Sequence, residues 1–170
     1  MNDIEILIIR GASGVGKTSL MKTMKGLLDG SFCIDIDDIR SMLSDMDWDQ
    51  GYTDYLNSQL ITAAMLKEMD RLGYKRAVVA DTFPNTALRS FLGCCPFRCR
   101  IVSIYCDDAV LSDRLLQRGR DVIRMKHIMS MNESIRMHDL DDIPIAAEDK
   151  LYIDNTHKTA EQIAHFLLHW

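Results

Sequence analysis

The stretch Gly11-Ala-Ser-Gly-Val-Gly-Lys-Thr18 constrains the fold more than any other part of this chain. It matches the pattern G-x-x-x-x-G-K-S/T without a gap. The apolar run Ile4, Ile6, Leu7, Ile8 and Ile9 leads into it and reads as a buried strand, and the amphipathic segment from Ser19 to Leu28 follows and reads as a helix. Such a loop, placed between a strand and a helix, aims successive backbone N–H groups at one point and adds the partial positive charge of the helix N-terminus. That point suits phosphate. Gly11, Ala12, Ser13, Gly14, Val15, Gly16, Lys17, Thr18 and Ser19 are therefore assigned to a nucleoside triphosphate, with ATP the default. Lys17 has the reach for the β- and γ-phosphates, and the Thr18 hydroxyl the position to hold Mg²⁺.

The rest of the chain alternates short apolar runs with helical stretches. The strands expected are Glu5–Arg10, Phe32–Ile36, Arg76–Asp81, Arg100–Cys106 and Lys150–Ile153. Helices are expected near Lys17–Leu28, Asp38–Ser44, Tyr52–Leu72, Thr86–Gly93, Asp108–Gln117, Val122–Met137 and Thr159–His169. This alternation predicts an α/β fold with a parallel sheet, and the nearly all-apolar strands predict helices on both of its faces. With 170 residues and no linker or repeat, the chain reads as one domain, 1–170. A net charge of −5 argues against a dedicated nucleic-acid binder. No apolar run approaches a membrane span, and the acidic start leading straight into a strand does not read as a signal peptide. Five cysteines in an odd set, without a second pair at metal spacing, predict a reducing cytoplasm and ordinary packing.

In such sheets ligands gather at the carboxyl ends of the strands. After the second strand come Asp37, Asp38 and Arg40. One aspartate suits a helix N-cap, but a cap does not account for a cation in the same first turns. Asp37 is therefore read as a base that accepts the proton of an attacking hydroxyl, with Arg40 beside it and Asp35 a weaker candidate. Asp81 ends the third strand and is the expected second holder of Mg²⁺. Arg89 follows on the next helix and is either a substrate contact or solvated. Arg114, Arg118, Arg120 and Arg124 surround the break at Gly119 and read as an Arg-rich lid over approximately residues 118–137. A cationic helix C-terminus is the other reading for any one of them. The segment after Ile153 either lines the base pocket or turns into a helix capped by Thr159. Tyr52, Tyr55, Asn57 and Gln59 offer hydrogen bonds on the acceptor side, and Met46 and Trp48 an apolar platform, unless they are core. The five histidines show no metal spacing.

Taken together, the phosphate loop, Asp35–Arg40, Asp81 and Leu111–Arg124 resemble the small P-loop kinases. These include the nucleoside-monophosphate, gluconate and shikimate kinases, chloramphenicol phosphotransferase and the kinase domain of polynucleotide kinases. The nearest likeness is to the polynucleotide-kinase-like branch, through Asp37-Asp38-Ile39-Arg40, through Asp81-Thr82-Phe83-Pro84-Asn85 with Arg89, and through Arg118-Gly119. The resemblance implies a three-layer fold with sheet order 2-3-1-4-5. It also implies Asp37 as general base, Arg40 at the acceptor, Arg114 near the adenine, and Arg118, Arg120 or Arg124 on the phosphates. The chain departs from that branch in its acidity and in lacking an aromatic-and-basic run for a nucleic-acid strand. The expected activity is ATP- and Mg²⁺-dependent phosphoryl transfer to a hydroxyl of a small molecule. A polynucleotide 5′-hydroxyl kinase and a non-catalytic nucleotide switch or ATPase module are the alternatives. Oligomeric state is not legible.

Overall fold

The computed structural model describes residues 4–43 and 52–170, and the side chains of all of these except 52–54. Five strands, β1 (Glu5–Gly11), β2 (Ser31–Asp35), β3 (Arg76–Asp81), β4 (Cys99–Tyr105) and β5 (Lys150–Asp154), form one sheet in the order β2-β3-β1-β4-β5. Every pairing is parallel. The helices are α1 (Lys17–Leu27), α2 (Ile36–Ser41), α3 (Tyr52–Arg71), α4 (Asn85–Cys94), α5 (Asp108–Gln117), α6 (Val122–Arg136) and α7 (Ala160–Leu167). This is the three-layer α/β architecture and the strand order expected from the sequence.

Alternation along the strands separates two cores. Ile6 and Ile8 of β1, Ala77 and Val79 of β3 and Ile101 of β4 face one side, where Ile39, Leu66, Leu88 and Phe91 from α2, α3 and α4 cover them. Ile9, Val78, Ala80, Val102 and Ile104 face the other, against Leu20 and Met24 of α1, Leu111 and Leu115 of α5, and Ile163 and Leu167 of α7. Side chains that alternate between two covered faces explain why the strands read as nearly continuous apolar runs. The register sets Arg10 opposite Asp81 and Asp35 opposite Ala80. The carboxyl ends of β1, β2 and β3 therefore share one edge.

Boundaries moved by one to three residues, some of them where side chains decide the ends. Ile36 opens α2 instead of closing β2, because the Asp35 carboxylate accepts a hydrogen bond from the Asp37 amide at 3.2 Å. The N-cap is thus Asp35; Asp37 and Asp38 lie in the first turn. Thr159 caps α7 as anticipated, in a reciprocal box with Gln162. Cys95, Cys99 and Cys106 are buried in the two cores and Cys33 and Cys94 are half-buried, all five as free thiols.

One interaction was not visible in the sequence. Arg10 on the central strand is fully buried. Its Nη1 and Nη2 donate to the two Asp139 oxygens at 2.7 and 2.8 Å, Nη2 also to Asn85 Oδ1 at 2.7 Å, and Nε to the Phe83 carbonyl at 2.7 Å. Asn85 Nδ2 in turn donates to the Asp139 carbonyl at 2.7 Å. This clamp ties the segment after α6 to the sheet and holds the β3–α4 turn, in which Phe83 has a φ of 46°. Among the described residues no helix is long and apolar enough to cross a membrane.

Candidate active site

The phosphate loop closes the carboxyl end of β1. Gly16 stands before α1 with a φ of 109°, and a Cβ there would lie 2.8 Å from Asn155 Nδ2. A Cβ on Gly11 would meet the Ile104 carbonyl at 2.8 Å. Both positions therefore require glycine, one for its backbone angle and one for its closeness to β4. Asn155, on the β5–α7 connection, donates from Nδ2 to the Val15 carbonyl at 2.6 Å and so braces the loop from behind. Lys17 Nζ donates to the Ala12 carbonyl at 3.0 Å. Burial pushes its ammonium below the ordinary lysine range, while Asp81, Asp37 and Asp35 pull it back up and Arg118 adds to the lowering. Beside the loop lies a cavity of about 520 Å³, lined among others by Gly14, Ser19, Arg114, Arg118, Asn155 and Lys158.

On the other flank of Lys17 the strand ends present three carboxylates. Thr18 Oγ1 donates to Asp35 Oδ2 at 3.0 Å. Asp35 is buried, and its carboxyl is pushed up by that burial and held back by the Thr18 hydrogen bond. Asp81 is fully buried; burial raises it too, and the Arg40 guanidinium beside it opposes the rise. Arg40 Nη2 donates to both Asp81 oxygens, at 3.3 and 3.2 Å, and Arg40 Nη1 is paired with Asp37. The Arg40 guanidinium also lies 4.2 Å from the centre of the Tyr55 ring. The Tyr55 hydroxyl accepts from the Phe83 amide at 3.1 Å. Burial and the adjacent Asp81 raise the Tyr55 phenol well above its ordinary range, which keeps it neutral. Among these groups Asp37 is the open one, with 58% of its side chain exposed against 6% for Arg40.

Sequence reasoning placed Lys17, Thr18, Asp37, Arg40 and Asp81 in one place, and the fold brings them together. It adds Asp35 next to Thr18, a residue ranked below its neighbours because its position in the apolar alternation gave no cue to Thr18. Tyr55 was a general hydrogen-bonding candidate; only the phase of α3 against α2 puts its ring on Arg40. Asn155 lay in a segment from which no residue could be singled out. Of the lid arginines, Arg114 and Arg118 line the loop-side cavity. Arg120 and Arg124 are exposed, and Arg124 pairs with Asp121 at 3.4 Å. Arg89 is at the surface, 3.9 Å from Asp142. Gln59 is buried with both amide atoms unpartnered among the described residues, and Asn57 is exposed. Met46 and Trp48, and the side chain of Tyr52, lie outside the described residues.

A family model described as an AAA domain, AAA_33, matches residues 6–138. The chain belongs to this family. Solved structures with the same fold include the tunicamycin resistance protein of Deinococcus radiodurans, at 17% identity and a TM-score of 0.70, covering 98% of this chain and 94% of that one. The gluconokinase of Sinorhizobium meliloti aligns at 16% identity and a TM-score of 0.64 over 99% and 92%. Shikimate kinase of Acinetobacter baumannii, in complex with shikimate, aligns at 17% and 0.65 over 98% and 91%. The fold is that of the small P-loop kinases. No curated relative matches the sequence significantly.

Proposed function

We propose that this protein is an ATP- and Mg²⁺-dependent kinase that phosphorylates a hydroxyl group of a small molecule. One arrangement carries the reading: an open carboxylate, Asp37, held by a buried arginine at the strand-end edge that also carries Lys17 and Thr18. A nucleotide switch has no use for such a carboxylate. An acceptor hydroxyl does, because its proton must leave as phosphorus bonds to oxygen. A gluconokinase and a shikimate kinase bound to shikimate share the fold, which supports a small-molecule acceptor here.

The residues present fit the nucleotide and its cation. The left-handed Gly16 and the N-terminus of α1 form a cradle that admits no side chain. Among the described residues no three His, Cys, Asp or Glu side chains form a metal cage. Mg²⁺ usually takes one or two protein oxygens together with phosphates, and the Thr18 hydroxyl beside the Asp35 carboxylate offers that kind of site. Asp81, the other expected holder, is engaged by Arg40 and the Thr82 amide and supports the site through Arg40. When bound, ATP supplies the phosphoryl group and Mg²⁺ offsets the charge of its phosphates.

The chain's own part is positioning and charge. Lys17 leaves the Ala12 carbonyl for the phosphates. Asp37 orients the acceptor hydroxyl and takes its proton. Arg40, clamped by Asp81 and capped by the Tyr55 ring, fixes Asp37. Arg118 reaches the phosphates from the end of α5, Arg114 lies along the base pocket, and residues 118–137 act as the lid, with Arg120 and Arg124 brought in on closure. An ATP-consumption screen over nucleosides, sugars, aminoglycosides and phenicols tests the reading. Once an acceptor is found, Asp37→Asn is expected to keep ATP affinity and to lower kcat roughly 10²–10⁴-fold. Near-wild-type turnover in that variant contradicts the assignment.

A further inference from the structure

We infer that Cys95 and Cys99 form an oxidative modification site, a pair of thiols that hydrogen peroxide closes into a reversible disulfide. This site is independent of the kinase reading above. The two residues bound the connection between α4 and β4, with Pro96, Phe97 and Arg98 between them. Backbone hydrogen bonds hold both ends of this turn. The Cys95 amide donates to the Phe91 carbonyl at 2.9 Å and closes α4. The Ile6 amide donates to the Arg98 carbonyl at 3.1 Å where β4 begins. Arg98 Nη2 also donates to Asp149 Oδ1 at 2.7 Å. The turn so held sets the two sulfurs 3.7 Å apart. A disulfide needs about 2.05 Å, so the sulfurs must close by roughly 1.6 Å, which rotation of two short side chains supplies.

The surroundings divide the roles. The Cys99 thiol donates toward the Cys95 sulfur and holds the Cys95 thiol below its ordinary range; burial opposes this, and the Phe97 amide and Lys67 assist it. Cys99 is shifted the other way by the same contact and by burial, and stays protonated. Cys95 is therefore the nucleophile and Cys99 the resolving thiol. Cys95 keeps 8% of its surface open to solvent, a contact that suits an oxidant of nearly the size of water. Its thiolate attacks one peroxide oxygen; an S–O bond forms, the O–O bond breaks and hydroxide leaves, giving a sulfenic acid. The Cys99 sulfur then attacks the Cys95 sulfur. The S–S bond forms, the S–O bond breaks, and the Cys99 proton leaves with the hydroxyl group as water. In sum, two thiols and one peroxide become one disulfide and two waters, and two electrons pass from sulfur to oxygen. A resolving thiol at contact distance stops oxidation at the reversible stage. Burial raises the thiols of Cys33 and Cys106, which makes both poor competitors for the oxidant.

The test treats the folded, reduced chain with hydrogen peroxide, alkylates the remaining thiols and weighs the tryptic fragments. Fragment Ser90–Arg98 should appear joined to Cys99–Arg100, two hydrogens lighter than their sum, and dithiothreitol should separate them. Cys94 lies in the same fragment as Cys95, so Cys94→Ser decides between them: the link should persist. In Cys99→Ser, Cys95 should instead collect a sulfenic acid, trapped by dimedone, and pass on to sulfinic acid. Cys33 and Cys106 should react at least ~10-fold more slowly than Cys95. The wild-type digest needs no variant to fold, and the absence of the joined fragment there overturns the inference. A link that disappears in Cys94→Ser, a link between two copies of the chain, or one oxidation rate for Cys33, Cys95 and Cys106 overturns it equally.

Discussion

At the scale of single residues, the two strand-end aspartates separated by one isoleucine have different surroundings. Asp35 is buried, caps α2 and holds Thr18; Asp37 is open and held by Arg40. Burial raises the Asp35 carboxyl, so in the metal-free protein its ionised form is disfavoured by folding. The sign follows. The folded state holds this proton to higher pH than the unfolded chain does, so the associated stability is present below the unfolded value, about 3.9, and is lost as pH rises through the raised folded value. Asparagine caps helices as well as aspartate does. Asp35→Asn is therefore expected to melt no lower than wild type at neutral pH without metal, and to bind Mn²⁺·ATP more weakly. Wild-type Mn²⁺ affinity should fall on acidification starting above the usual aspartate range, while the variant shows no such titration. Thermal melts and Mn²⁺ titrations between pH 4 and 8, about the range where carboxylates and histidines exchange protons, check both. Residue type alone could not rank these aspartates. Both are good caps and good bases, and the assignment depends on the turn that points one at Thr18 and the other outward.

At the scale of elements, much was legible because strands with two covered faces and amphipathic helices leave distinct periods. The cores of the five strands and seven helices were placed correctly. Their ends were set by side chains such as Asp35, whose reach the period does not encode. The Arg10–Asp139 clamp spans 129 residues of sequence, and its only signal was a charge at the end of an otherwise apolar strand. Asp139→Ala would strand a fully buried arginine. Losing one partner of such a pair costs about 3–5 kcal/mol, so urea unfolding should show a loss of that order. Arg10→Met combined with Asp139→Ala should recover part of it, which a loss of local packing alone would not. The α5–α6 junction gives a second test. Arg118 lines the cavity by the phosphate loop, whereas Arg124 lies on the surface against Asp121. Arg118→Ala is expected to lower kcat by about 10²-fold or more, and Arg124→Ala by clearly less, in steady-state assays of phosphoryl transfer.

At the scale of the whole molecule, the parallel sheet brings the ends of β1, β2 and β3 to one edge, and that edge divides into two halves with opposite electrostatics. The loop side, with Lys17, Arg114, Arg118 and Lys158, is positive and suits polyphosphate. The α2–α3 side carries the carboxylates, with Asp37 and Asp81 sharing the guanidinium of Arg40. The loop side was legible because its backbone demands glycines at fixed spacing. The other was legible only as residue types, because its character depends on who pairs with whom across β2, β3 and α3. The most direct test of the account is a single-turnover transfer from γ-³²P-labelled ATP, with and without acceptor, in wild type and in Asp37→Asn. The account predicts label on an alcohol in wild type and, in the variant, transfer slowed roughly 10²–10⁴-fold with nucleotide affinity kept. Label released solely as inorganic phosphate, at one rate in both proteins whatever alcohol is added, would contradict it.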